Sequence, residues 1–261
     1  MLNYIAAELY KFRFHRGLYI GTGLLLLLEL LVFLPGIAVR GQGKDYIPRD
    51  VLLTFLLVAM TVGVLIAPIF AAMAFDNQHG NGTLKNEVVF GVPKGRSYLG
   101  KMLAGAIAGT GIALLAIGFY LALTALLGGE SRELVQWDWY LRDVLTQWLA
   151  WLTFYAAAFL MLALFAAPAV AIAFIYMAAT ILPVVTAVIW DSGLSFGWQL
   201  AASLSFGAPA ALLIEGGDAT SGVILPLLGG NVLLYALLLC LLWWGISAGT
   251  GVLILRQRDI K

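Results

Sequence analysis

Between Val144 and Trp190 the chain has no Asp, Glu, Lys or Arg. A bilayer core about 30 Å thick takes a helix of about 20 residues at a rise of about 1.5 Å each. The run is read as two membrane-spanning helices, Val144–Ala167 and Pro168–Trp190, parted by a turn at Ala166-Ala167-Pro168. Apolar runs of similar length predict further spans at Gly17–Val39, Val51–Ala74, Met102–Leu127 and Asn231–Leu255. At the start, Leu2, Ile5, Leu9 and Phe12 recur at helical spacing, while Asn3, Glu8 and Lys11 point elsewhere. That pattern predicts a short amphipathic helix over 1–16 lying in the membrane interface. Residues 191–230 mix apolar pieces with Gly, Pro209, Glu215 and Asp218. They are expected to form external re-entrant or interfacial helices, because irregular backbone at membrane depth persists only where protein or water covers it. The expectation is an all-α polytopic protein, with six transmembrane helices in one domain over 1–261.

Composition agrees with lipid as the solvent. Charged residues are 11% of the chain and mean hydropathy is +0.96, where a soluble domain carries about 25% charged residues. The short loops leave no room for a large soluble domain. A net charge of +1 gives no general pull toward nucleic acid. The single cysteine, Cys240, sits in an apolar run, which excludes a disulfide framework. The segment Leu2–Arg16 is too polar and aromatic for a cleavable signal.

Charge also sets orientation. Ten of the 15 Lys and Arg fall on one side of the predicted arrangement: Lys11, Arg13 and Arg16, then Lys85, Lys94, Arg96 and Lys101, then Arg256, Arg258 and Lys261. Acids such as Asp45, Asp50, Glu130, Glu133 and Asp138 gather on the other. By the positive-inside rule, both termini and the 75–101 loop are expected to be cytoplasmic, in a multi-pass protein of the inner (plasma) membrane.

Catalytic chemistry is scarce. His15 and His79 have no partner histidine, and no H-E-x-x-H occurs. Gly95–Lys101 fits G-x-x-x-x-G-K, but Met102 stands where a phosphate loop needs Ser or Thr for Mg²⁺, so the stretch is read as a basic interface anchor. Glu29 is the one acid near the centre of a span, where an ionised carboxylate costs roughly 2.5–3.5 kcal/mol. It is a candidate intramembrane polar site, either a substrate- or proton-linked group or a satisfied contact between helices. The pairs Gly17/Gly21, Gly105/Gly109 and Gly245/Gly249 have the spacing that lets helices approach closely. Trp and Tyr clustered over 137–155 are expected at the outer interface, and Trp243 and Trp244 in packing.

The 75–101 loop is the most informative polar segment. Thr83 can cap a short helix over Leu84–Phe90, Glu87 falls in its first turns, Leu84 and Val88 share a face, and Gly91 and Pro93 end it. Such a helix suits docking of a cytoplasmic partner. The stretch Asn81-Gly82-Thr83-Leu84-Lys85-Asn86, followed by Gly91, Arg96, Tyr98 and Lys101, resembles the first cytoplasmic loop of type-2 ATP-binding-cassette (ABC) exporter permeases. The likeness extends to the opening Glu8-Leu9-Tyr10-Lys11, the six-span plan and the closing Arg256–Lys261, and is nearest to bacterial bacitracin-resistance and lantibiotic-immunity permeases. The family often has a Glu shortly before the Gly-Thr pair; here that stretch is Asn77-Gln78-His79-Gly80.

The resemblance implies a non-catalytic transport subunit. A coupling helix formed by Thr83, Leu84, Lys85, Asn86, Glu87, Val88 and Phe90 would dock a separate ABC ATPase, with Lys11, Arg96 and Lys101 at the cytoplasmic interface. ATP and Mg²⁺ would sit on that partner, and this chain would bind no cofactor or metal. A second permease chain, the same or a paralogue, would complete a dimer in the bilayer. The cargo would be amphipathic or hydrophobic, such as an antimicrobial peptide or drug. Two other classes are consistent with the residues: an ion-gradient-driven transporter or channel centred on Glu29, and a membrane anchor or assembly subunit with no transport path.

Overall fold

The computed structural model describes residues 2–41, 49–64, 66–75, 91–127, 137–165, 169–177, 204, 228 and 230–257. Among these there are helices and no strand: α1 (Leu2–Arg13), α2 (Arg16–Gly41), α3 (Arg49–Val64), α4 (Ala67–Phe75), α5 (Lys94–Leu127), α6 (Trp137–Leu164) and α7 (Val232–Gln257), with a further helical segment over 169–177. Three are long and apolar enough to cross a membrane, within Lys94–Leu126, Tyr140–Leu164 and Val232–Gln257. The Leu84–Phe90 helix, nearly all of 191–230 and most of the predicted fifth span lie outside the described residues.

The bundle is built around α6. In its membrane window 72% of residues are buried by protein, against 22% for α5 and 28% for α7. From Thr153 to Leu160 every residue is buried, and Ala156-Ala157-Ala158 keeps that stretch thin enough for neighbours on all sides. A helix apolar around its whole circumference belongs in such a position. Helices α3, α4 and α7 pack on α6 directly. The outer faces of α5 and α7 instead present large apolar side chains such as Leu114, Leu126, Leu241 and Leu253.

Several expectations are corrected. The predicted span Val51–Ala74 is two helices. Pro68 has no amide hydrogen and its ring conflicts with the carbonyl four residues back, so the ladder stops at Val64. The chain turns through Ile66, whose amide donates to Gly63 O (3.0 Å), and restarts at Ala67. Helix α5 begins at Lys94 rather than Met102, because Pro93 O accepts from the amides of Arg96 (2.9 Å) and Ser97 (3.1 Å) and no residue beyond it breaks the helix. Gly95–Lys101 is thus the first turns of a helix and has no phosphate-loop geometry. Helix α6 likewise starts at Trp137, so Asp138, Arg142 and Asp143 are helical residues rather than loop. The last span starts where expected: Asn231 caps α7 by accepting the Leu234 amide on Oδ1 (3.1 Å).

The chain between α1 and α2 bends by 66°. Tyr4 of α1 lies over Gly100 of α5, and its hydroxyl is 3.0 Å from Ser97 Oγ. The face assignment of α1 needs correcting at two residues: Glu8 is buried together with Phe12, while Leu2 is exposed, as are Tyr10 and Phe14. A carboxylate tolerates that position because Lys11 Nζ donates to Glu8 Oε1 at 2.6 Å.

Of the glycine pairs, Gly105/Gly109 is the one that forms a seam. A Cβ at Gly105 would meet Ala74 Cβ at 2.9 Å and run into the Tyr155 hydroxyl; one at Gly109 would meet Trp151 Cζ2 at 2.7 Å. Gly245 and Gly249 face no described atom within 4 Å.

Candidate functional site

Two places in the bundle have the make-up of functional sites. The first is a groove at the end of the bundle where α5 starts and α7 finishes. Gly95 comes close enough to Val252 that a Cβ there would sit 2.9 Å from its Cγ1. One turn on, the Tyr98 hydroxyl lies 3.2 Å from both the carbonyl and the Oγ of Ser247. These contacts hold α5 against α7 and leave an open groove of about 580 Å³, floored by Pro93, Leu99 and Val252 and edged by Lys94, Arg96 and Arg256. Helix α1 packs on the same stretch of α5. The N-terminal helix, the residues after the 75–90 segment and the end of the last span therefore meet at one end.

The sequence-predicted interface residues fare differently there. Arg96 is exposed in the groove. Lys11 lies on α1 against Glu8, beside His15 and Met73. Lys101 is 1% exposed, a buried residue of α5 rather than a surface anchor. Thr83, Leu84, Lys85, Asn86, Glu87, Val88 and Phe90 lie outside the described residues. Gly91, which follows them in sequence, has a φ of +83°, a left-handed conformation that glycine adopts without a Cβ clash.

The second place is a partly open cavity of about 290 Å³ lined by α2, α3, α4, α5 and α6. Its wall is apolar apart from a few groups: Glu29 of α2, Tyr120 of α5, and Gln147, Trp148 and Trp151 of α6. Glu29 is 8% and Gln147 4% exposed. Among the described residues, neither Glu29 Oε2 nor Gln147 Oε1 has a hydrogen-bond partner. Tyr120 donates its hydroxyl to Leu52 O (2.9 Å), and Trp148 Nε1 donates to Thr110 Oγ1 (3.2 Å). Trp151 is fixed by stacking on Tyr155 (5.4 Å, 15°) and by an edge contact with Phe70 (6.0 Å).

Sequence reasoning found Glu29 because a charge in a span stands out, and missed the groups that accompany it. Gln147 carried a signal, being the only amide side chain in the uncharged run 144–190. The aromatic cluster was placed too uniformly. Trp137 is exposed at the start of α6, but Tyr155 is fully buried with its hydroxyl on Met102 O (3.0 Å), and Trp151 lines the cavity. Trp243 and Trp244 are packing residues, with Trp244 Nε1 donating to Leu152 O (3.2 Å).

Among the described residues, neither place brings together the nucleophile–base pair of a catalytic centre. No curated protein matches the sequence. The family model described as ABC-2 family transporter protein matches residues 4–195, a stretch that takes in α2 to α6 and nearly all of α1, and on that match the chain belongs to the ABC-2 transporter family.

Proposed function

We propose that this chain is the permease subunit of an ATP-driven exporter of the bacitracin-resistance and lantibiotic-immunity kind. Membership of the ABC-2 family makes it a membrane subunit that works with a separate ATPase. The finer reading is that the ATPase docks at the end where α1, α5 and α7 meet, through the Leu84–Phe90 helix. The observation that carries it is the basic groove of Lys94, Arg96 and Arg256, which adjoins the end of that segment. This end would face the cytoplasm of an inner-membrane protein with both termini inside, a reading supported by the excess of Lys and Arg on that side. Six spans per chain and a second permease chain would complete the path, and the cargo would be amphipathic, moved outward.

The test replaces Leu84 and Val88 with Asp and measures ATP turnover of the reconstituted permease–ATPase complex. Loss of permease-stimulated turnover, with an unchanged helical signal, is expected. Native turnover in that variant overturns the docking assignment. Transport that proceeds without ATP but follows an ion gradient overturns the exporter reading in favour of the gradient-driven one.

A further inference from the structure

We infer that the cavity between α2 and α6 is a binding site for a small amphipathic amine, with the ammonium against Glu29 and Gln147 and the apolar body against the two tryptophans. The inference follows from hydrogen-bond accounting. The hydroxyl of Tyr120 and the indole N–H of Trp148 are already directed at Leu52 O and Thr110 Oγ1. Glu29 and Gln147 both line the cavity, and each has a buried acceptor oxygen, Oε2 and Oε1, without a partner among the described residues. A complementary molecule must therefore bring donors. An acid on one wall favours a donor with positive charge, and an ammonium offers three N–H groups and no acceptor. The remainder of the wall is apolar, including Leu25, Met60 and Ile117, so the rest of the molecule must be apolar too. Trp148 and Trp151 suit the same ligand, because indole faces attract cations as well as apolar groups.

Size narrows the class further. A cavity of about 290 Å³ lies at the small end of ligand pockets, which run from about 300 to 1,000 Å³. A volume of that order takes one alkyl- or arylammonium. The site deepens the permease reading by naming a ligand class, and it rests on that reading only for its part in transport. Binding to the isolated chain needs no ATPase, so failure here and failure of the docking assignment are separately visible.

The experiment uses the full chain in lipid nanodiscs with two photoreactive probes: a diazirine-bearing hexylammonium and the matching neutral alcohol. Labelled positions are mapped by mass spectrometry across a concentration series. The expected result is saturable labelling of α5 and α6 around Tyr120 and Trp151 by the ammonium, at lower concentration than by the alcohol. Glu29→Gln should weaken the ammonium about tenfold to a hundredfold, the worth of one charge-assisted hydrogen bond, and leave the alcohol unchanged. Equal labelling by the two probes in the native chain overturns the inference, as does full ammonium affinity in Glu29→Gln. If that variant does not fold, the native chain is treated with dicyclohexylcarbodiimide, which modifies protonated carboxyls in apolar surroundings. Protection of Glu29 by hexylammonium and not by hexanol supports the site; protection by neither, or equally by both, overturns it.

Discussion

Gly105→Ala tests the seam on which the bundle depends. The new methyl would fall 2.9 Å from Ala74 Cβ and well inside van der Waals contact distance of the Tyr155 hydroxyl. Tyr155 has nowhere to go. It is fully buried, its hydroxyl is held on Met102 O at 3.0 Å, and its ring is stacked on Trp151. Overpacking a filled core costs about 1–3 kcal/mol, and giving up the Tyr155 hydrogen bond costs about 0.5–1.5 kcal/mol. Against this, alanine is better than glycine inside a helix by roughly 0.5–1 kcal/mol. The net expectation is a loss of roughly 1–3 kcal/mol. Gly249→Ala is the matched control, since that position faces no described atom within 4 Å and should be neutral or stabilising by up to about 1 kcal/mol. Both are read from unfolding in mixed micelles by titration with sodium dodecyl sulfate, followed by far-UV circular dichroism. In a Tyr155→Phe background, where the obstructing hydroxyl is gone, the cost of Gly105→Ala should shrink, a coupling of the kind neighbouring residues show. If Gly105→Ala proves as stable as Gly249→Ala, the close approach of α5 to α6 is refuted.

Two smaller predictions use the same titration. Lys11→Met should cost more than Glu8→Gln, because the first strands a carboxylate that is 4% exposed while the second leaves a half-exposed ammonium in water; the first is expected at about 1–3 kcal/mol and the second below about 1 kcal/mol, and the reverse order would deny the pairing across α1. Asn231→Ala removes the acceptor for the Leu234 amide and should destabilise by about 0.5–2 kcal/mol, with Asn231→Asp largely restoring it.

What the sequence disclosed follows from what lipid penalises. A span must be an unbroken apolar run, so the last span was placed to within about two residues at each end of α7, and Asn231 marked its start. Hydropathy is silent about backbone hydrogen bonding, which is why Val51–Ala74 read as one helix although the chain breaks between Val64 and Ala67, just before Pro68. The limits of an apolar run are also not the limits of a helix. Lys94, Arg96, Asp138 and Arg142 read as loop because they are charged, yet they extend α5 and α6 beyond their apolar stretches. Glu29 was visible as a site residue from its charge alone. Tyr120, Trp148 and Trp151 were not, because an uncharged aromatic in a span reads the same whether it fills a core or lines a cavity; only the meeting of five helices separates the two.

On the proposed function, α5 decides how the two sites communicate. Its 34 residues, at about 1.5 Å each, make a rod of roughly 51 Å, which outreaches a hydrocarbon core of about 30 Å. The excess at its N-terminal end carries Lys94 and Arg96 into the basic groove, and Tyr120 on the same helix reaches the cavity. No proline interrupts Lys94–Leu127, so a displacement imposed at the groove has no kink in which to dissipate. It is passed instead to the seam where Gly105 and Gly109 admit Tyr155 and Trp151. Trp151 belongs to the cavity wall, one turn along α6 from Gln147. On that reading, work done at the groove would reach the cavity through the packing of these two helices. A methyl inserted at Gly105 would disturb transmission as well as stability, and in a reconstituted complex it should slow transport more than it slows ATP turnover.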